Sequence, residues 1–171
     1  SDRRTSGAQL EDEGIELRGA ARVRNAVGER GHINITSYNR QVLVTGEVPT
    51  QADKTTVEQV LSRVENELGV MDNTTLAQRS TDALITTKVK AALVDAKDLQ
   101  ANAFKVVTER GTVYLLGRVT RAEADRATEL ARTVQDVKRV IRALEIISDQ
   151  ELRQLQGQPA PASTANPRPA P

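Results

Sequence analysis

The sequence predicts an α+β protein of two tandem small domains, each running helix, strand, strand, helix, strand, with a three-stranded mixed sheet and its helices on one face. Three observations predict it. A displacement of 71 residues superposes two alternating apolar runs on two others, placing Ile33 on Phe104, Ile35 on Val106, Val42 on Val113, Val44 on Leu115, Gly46 on Gly117 and Val48 on Val119. The turn residues Asn39-Arg40 fall on Arg110-Gly111 at the same displacement. A segment with helical spacing follows each hairpin: with one residue removed, Val57 falls on Ala127, Leu61 on Ala131, Val64 on Val134 and Val70 on Val140.

Residues 1–14 are polar and lack a sustained apolar period, so they are expected to be an N-terminal tether. The first domain then covers residues 15–77. Ile15, Gly19, Val23 and Val27 trace an i, i+4 line along its first helix. Gly19 weakens that helix by about 1 kcal/mol relative to alanine, which implies a close neighbouring backbone. Ile33 to Tyr38 and Val42 to Val48 alternate on either side of a tight turn and read as an antiparallel hairpin. Ile33 and Ile35 share one face of the first strand; Val42, Val44, Gly46 and Val48 share one face of the second. Pro49 closes that strand, and Gln51 to Glu67 carries Val57, Val60, Leu61 and Val64 at helical spacing. Val70 to Leu76 is expected as the third strand, returned parallel to the second by a right-handed crossover.

The second domain, residues 78–148, repeats the order. Its first helix is expected over Thr81 to Val94, capped by Thr81 or Asp82, with Ile85, Val89 and Ala92 facing the core. Gly46 and Gly117 read as structural glycines, at places where a side chain would strike the helix above or where the strand bulges; approach of a ligand is the alternative. Val107, Tyr114 and Leu116, with Ile141 as an addition, make the outward side of this sheet too apolar for water, and mark an interdomain or partner face. Domains this small bury a modest share of their surface, so docking would stabilise both. Residues 149–171 are expected as a Pro/Ala-rich disordered tail, with a frayed helix over Gln150 to Leu155.

Composition excludes several functions. Aromatics are 2% of residues, so base stacking on rings is almost unavailable and nucleic acid is not an expected partner. Without cysteine there is no disulfide, thiolate site or cysteine nucleophile, a usage that fits an oxidising periplasm as well as a cytosol. The net charge of +1 hides an asymmetry: residues 15–77 hold 7 basic and 8 acidic side chains, residues 78–148 hold 13 and 9. The second domain therefore carries +4 and favours anions.

No enzyme is expected. His32 is the single histidine, opens a strand, and has no counterpart in the second copy. The carboxylates lie in solvated helical runs, no spacing suggests a metal site, and no glycine-rich phosphate loop or cofactor motif is present. What stands out is a second stripe on the Thr81–Val94 helix, formed by Leu84, Thr87, Lys88, Ala91 and Val94 with Lys90 beside it. A helix lying on a sheet does not need one. It reads either as packing against the other domain or as a face for shallow insertion into a lipid surface, with the lysines meeting phosphate.

The repeat resembles the BON domain of bacterial envelope proteins. Val42-Leu-Val-Thr-Gly-Glu-Val and Val113-Tyr-Leu-Leu-Gly-Arg-Val are similar to the family's second strand with its glycine, and Val137-Lys-Arg-Val-Ile to its third. Asp2-Arg-Arg-Thr, Ile33-Asn-Ile-Thr-Ser-Tyr and Ile85-Thr-Thr-Lys-Val more specifically resemble the dual-BON periplasmic lipoproteins of Gram-negative bacteria. The resemblance implies a protein held by a lipidated cysteine, upstream of Ser1, at the inner leaflet of the outer membrane. It implies binding of anionic phospholipid through the first helix of the second domain and support of membrane integrity. That helix lacks an aromatic ring, and Leu84 occupies the place where one would serve. The competing expectation is a scaffold or chaperone for envelope protein partners, using the outward sheet face around Tyr114 and Leu116.

Overall fold

The structure, a computed structural model, describes residues 2–157. Helix α1 (Ser6–Val27) starts where the Thr5 side chain accepts the Ala8 N–H, and packs on the hairpin β1 (His32–Tyr38) and β2 (Gln41–Val48). Ile35 stands opposite Val44 in the antiparallel register. Helix α2 (Gln51–Val60) is capped by Thr50, and the chain returns as β3 (Val64–Asn66) and β4 (Gly69–Val70), both parallel to β2. The second copy follows as α3 (Leu76–Asp95), a short 3-10 turn at Ala101–Ala103, β5 (Phe104–Glu109), β6 (Thr112–Val119), α4 (Arg121–Thr133) and β7 (Arg139–Ile146). Again β5 is antiparallel and β7 parallel to the central strand. The expected α+β architecture of two mixed sheets is what forms, and α5 (Asp149–Leu155) ends the described chain.

Several expected boundaries are corrected. Residues 6–14 are the opening turns of α1 rather than a tether, because Ala8 and Asp12 are buried and anchor them. Arg3 is buried too, donating to both carboxylate oxygens of Glu123 at 2.8 Å and to the Arg118 carbonyl at 2.9 Å. Helix α2 stops at Val60, since Leu61 is extended and Arg63 takes a positive φ of 52°. Val64 is therefore a strand residue paired with Val42, and the third strand begins six residues before Val70. Glu67 and Leu68 interrupt it, and the Leu68 side chain turns into the core. Helix α3 starts at Leu76 under a Thr75 cap, so neither Thr81 nor Asp82 caps it, and Leu93 rather than Ala92 is its third core residue. The helix expected over Gln150 to Leu155 forms, beginning one residue earlier at Asp149; the expected tail from 158 to 171 lies outside the described residues.

Each sheet has its own aliphatic core under its helices. Val23, Val27, Val42, Val44, Val48, Val57 and Leu68 fill the first; Ile85, Val89, Leu93, Val113, Leu115 and three α4 alanines, Ala124, Ala127 and Ala131, belong to the second. The sheets then meet on their other faces, where Tyr38 and Leu43 pack with Tyr114 and Leu116, flanked by Val107 and Ile141. At Gly46, with φ 110°, an added Cβ would lie 1.9 Å from the His32 carbonyl oxygen; at Gly117 it would lie 2.3 Å from that of Ala103. What excludes a side chain is thus the backbone at the start of the paired strand, not the helix above. Gly19 likewise approaches side chains, Leu61 and Ile35, rather than a backbone.

Candidate functional site

Helix α3 is held at its inner side by a polar latch as well as by Ile85, Val89 and Leu93. Asp82, buried, accepts the N–H groups of Arg110 and Gly111 at 2.9 Å each. Those residues form the β5–β6 turn with φ of 50° and 77°, a conformation that turns the amides toward the helix. Asp12 does the same in the first copy, accepting the N–H groups of Asn39 and Arg40 at 2.8 Å each and the Ser37 hydroxyl. Burial alone would raise the Asp12 carboxyl, but these hydrogen bonds and one from Arg4 outweigh it and hold it below the ordinary carboxylate value.

The side of α3 opposite the latch is bare. Leu84 is 53% and Val94 64% exposed, and Thr87, Lys88, Lys90 and Ala91 are exposed with them. At 3.6 residues per turn, Leu84, Thr87, Ala91 and Val94 form one stripe, with Lys88 and Lys90 about 80° to either side of its centre. Leu76 and Ser80 extend the stripe by two turns, a part missed in the sequence because the helix start was set at Thr81. The Thr87 hydroxyl donates back to the Ala83 carbonyl at 3.1 Å, so the stripe presents its methyl without an unpaired polar group. Among the described residues neither lysine joins an ion pair. Asp82 being buried, the accessible charge of α3 is that of Arg79, Lys88 and Lys90 against Asp95, or +2. No helix among the described residues is long and apolar enough to cross a membrane.

Val107, Tyr114 and Leu116 are not part of this surface. Tyr114 and Leu116 are buried against the first sheet, which fills the face that a protein partner would have used. A cleft of about 510 Å3 opens at the edge of that interface beside Tyr38, Arg63, Glu65 and Glu145, and none of its lining comes from α3.

The interface also assembles residues that look unrelated in sequence. His32 Nδ1 lies 3.1 Å from Glu47 Oε1 and 3.8 Å from Glu109 Oε2. Arg110 donates to Glu47 Oε2 at 2.6 Å, while the Thr74 N–H and hydroxyl both reach Oε1 at 2.7 Å. Burial would raise Glu47, but the Thr74 donors, His32 and Arg110 pull it below the ordinary range. Glu109 goes the other way: burial, reinforced by the Glu47 charge, outweighs its bonds from Asn34 and Thr45 and raises it. His32 opens β1 and is half-buried, as a strand-end residue would be; the cluster around it was not foreseen. Its signal was invisible because the three residues belong to three different strands.

Family comparison agrees with the two copies. The BON domain model matches residues 18–78 and 81–148. The outer membrane lipoprotein DolP of Haemophilus influenzae is 35% identical over 159 residues, covering 86% of this chain and 80% of that protein. The 21 kDa hemolysin of Actinobacillus pleuropneumoniae is 32% identical over 154 residues, covering 85% and 79%. Among solved structures, CdsD, a structural protein of the type III secretion system of Chlamydia trachomatis, covers 88% of this chain and 70% of its own at 13% identity and a TM-score of 0.34, too distant to bear on function. The chain therefore belongs to the BON-domain family, as a tandem-BON protein related to the outer membrane lipoprotein of Haemophilus influenzae.

Proposed function

We propose that this is a non-enzymatic envelope protein that binds anionic phospholipid through the outward face of α3 and supports the integrity of the outer membrane. The observation that carries the reading is the composition of that face: an uncharged apolar stripe from Leu76 to Val94 with an unpaired lysine on each flank. Leu84 and Val94 would enter the boundary between headgroups and acyl chains while Lys88 and Lys90 meet phosphates. Each lysine contributes about 1 kcal/mol near such a surface and each aliphatic group about 1.5–3 kcal/mol if fully buried, so the grip is reversible. The outer membrane lipoprotein relative supports a covalent lipid tether. A tether turns a weak contact into a persistent one by raising its effective concentration.

Flotation with vesicles of anionic or zwitterionic lipid, at low and high salt, tests the proposal. Binding is expected only to anionic vesicles and to weaken with salt. Leu84→Glu and Val94→Glu should abolish it with an unchanged far-UV circular dichroism spectrum. Flotation of both variants at the wild-type level would remove α3 from the account, and no flotation with any lipid would remove the lipid.

A further inference from the structure

We propose that His32, Glu47 and Glu109 form a divalent-cation site across the domain interface, with Zn2+ the ion that its donors fit. His32 and Glu47 come from the first domain and Glu109 from the second, so a bound ion would join the two sheets at their common edge. One imidazole nitrogen and two carboxylate oxygens lie within 4.8 Å of one another. A tetrahedral zinc with bonds of about 2.0–2.1 Å places its ligand atoms about 3.3–3.4 Å apart. The distances of 3.1 and 3.8 Å from His32 Nδ1 to the two carboxylates bracket that spacing.

The surroundings are those of ligands held from behind. Arg110 fixes one oxygen of Glu47, and Asn34 and Thr45 fix one oxygen of Glu109. In each case the other oxygen faces the histidine, the pattern by which outer hydrogen bonds orient metal ligands. Glu109 is 2% exposed, yet among the described residues its Oε2 accepts no hydrogen bond. That oxygen lies on the wall of a cleft, free to take a cation from solvent. Glu47 is fully buried, and among the described residues the Arg110 guanidinium pairs with it and not with Glu109. The Thr74 N–H and hydroxyl donate to Glu47 Oε1 at 2.7 Å each and hold it beside His32. Entry is through a cleft of about 220 Å3 lined by His32, Asn34, Thr86 and Glu109.

His32 is the single histidine of the chain, which makes its ring nitrogens a direct reporter. Untagged, metal-stripped protein is titrated with Zn2+ while the imidazole 15N resonances are followed by NMR and the melting temperature is recorded. A shift of His32 Nδ1 saturating at one equivalent, with a rise in melting temperature, is expected. Asn34→Ala should weaken binding about tenfold or more by loosening Glu109, without touching a ligand. Glu109→Gln should remove saturable binding. Unmoved His32 resonances in excess Zn2+, or unchanged affinity in folded Glu109→Gln, would overturn the site. Lipid flotation is a separate readout, so failure here leaves the α3 reading standing and the reverse.

Discussion

Helices α1 and α3 hold equivalent places in two copies of one domain, and both leave apolar side chains in water. On α1 these are Leu10 and Leu17, 71% and 74% exposed, more than Leu84 or Val94 on α3. A helix started at Ile15 holds Leu17 but leaves out Leu10, so the pair emerges only with α1 starting at Ser6. What separates the two is charge. Glu13 stands between Leu10 and Leu17, with Glu11 and Glu16 close by, whereas the α3 stripe has no acid within it and a lysine on each side. Apolar exposure alone therefore does not choose a partner. On the proposed function, an anionic bilayer would favour the second face, which has no acid within it.

The copies differ first in how far each tolerates a change at its strand glycine. Gly46→Ala forces a Cβ to 1.9 Å of a carbonyl oxygen at φ 110°, and should cost more than about 4 kcal/mol in urea melts. Gly117→Ala meets its carbonyl at 2.3 Å and should cost less. Equal losses would mean that the two hairpins relax alike. Next in size is the proposed lipid face: Leu84→Glu should weaken anionic vesicle binding by about 3 kcal/mol, roughly a hundredfold and enough to abolish flotation, while Leu10→Glu leaves it unchanged. A converse change, Glu13→Lys, should raise binding by replacing the acid inside the α1 leucine stripe with a base.

The aspartate latches are the feature in which the copies agree. Asp12→Asn should destabilise by about 2 kcal/mol, since an amide oxygen accepts the turn amides less strongly. Asp12 lies below its unfolded-state value, so its stabilisation is complete above about pH 4 and lost as pH falls through the lower folded value. Asp12→Asn should accordingly flatten the acid limb of a melting-temperature profile; an unchanged limb would place the acid sensitivity elsewhere. The smallest effects belong to the flanking lysines. Lys88→Ala and Lys90→Ala should each weaken vesicle binding by about 1 kcal/mol, near fivefold, and lessen its salt dependence.

Much of this was legible in the chain itself. The displacement of 71 set both hairpins and their inward faces, because a strand with one buried side writes its period into the sequence. The α3 stripe was legible for the same reason. The third strand of the first domain was not, since Val60, Leu61 and Val64 continue a helical spacing across the point where Arg63 reverses the chain. Asp12 was also hidden: in a polar run it is one acid among three, and only the turn amides above it give it a role.

Sequence alone thus determined the repeat, the two hairpins, the +4 charge of the second copy and the exposed face of α3, all set by periodicity or composition within a short span. The tertiary structure decided the rest. It set Tyr114 and Leu116 against Tyr38 and Leu43, closed Arg3 onto Glu123, and gathered His32, Glu47 and Glu109 from three strands. Such polar contacts join residues as much as 120 positions apart, without any period to announce them. They exist because a buried charge must find a partner wherever the folded chain brings one within reach.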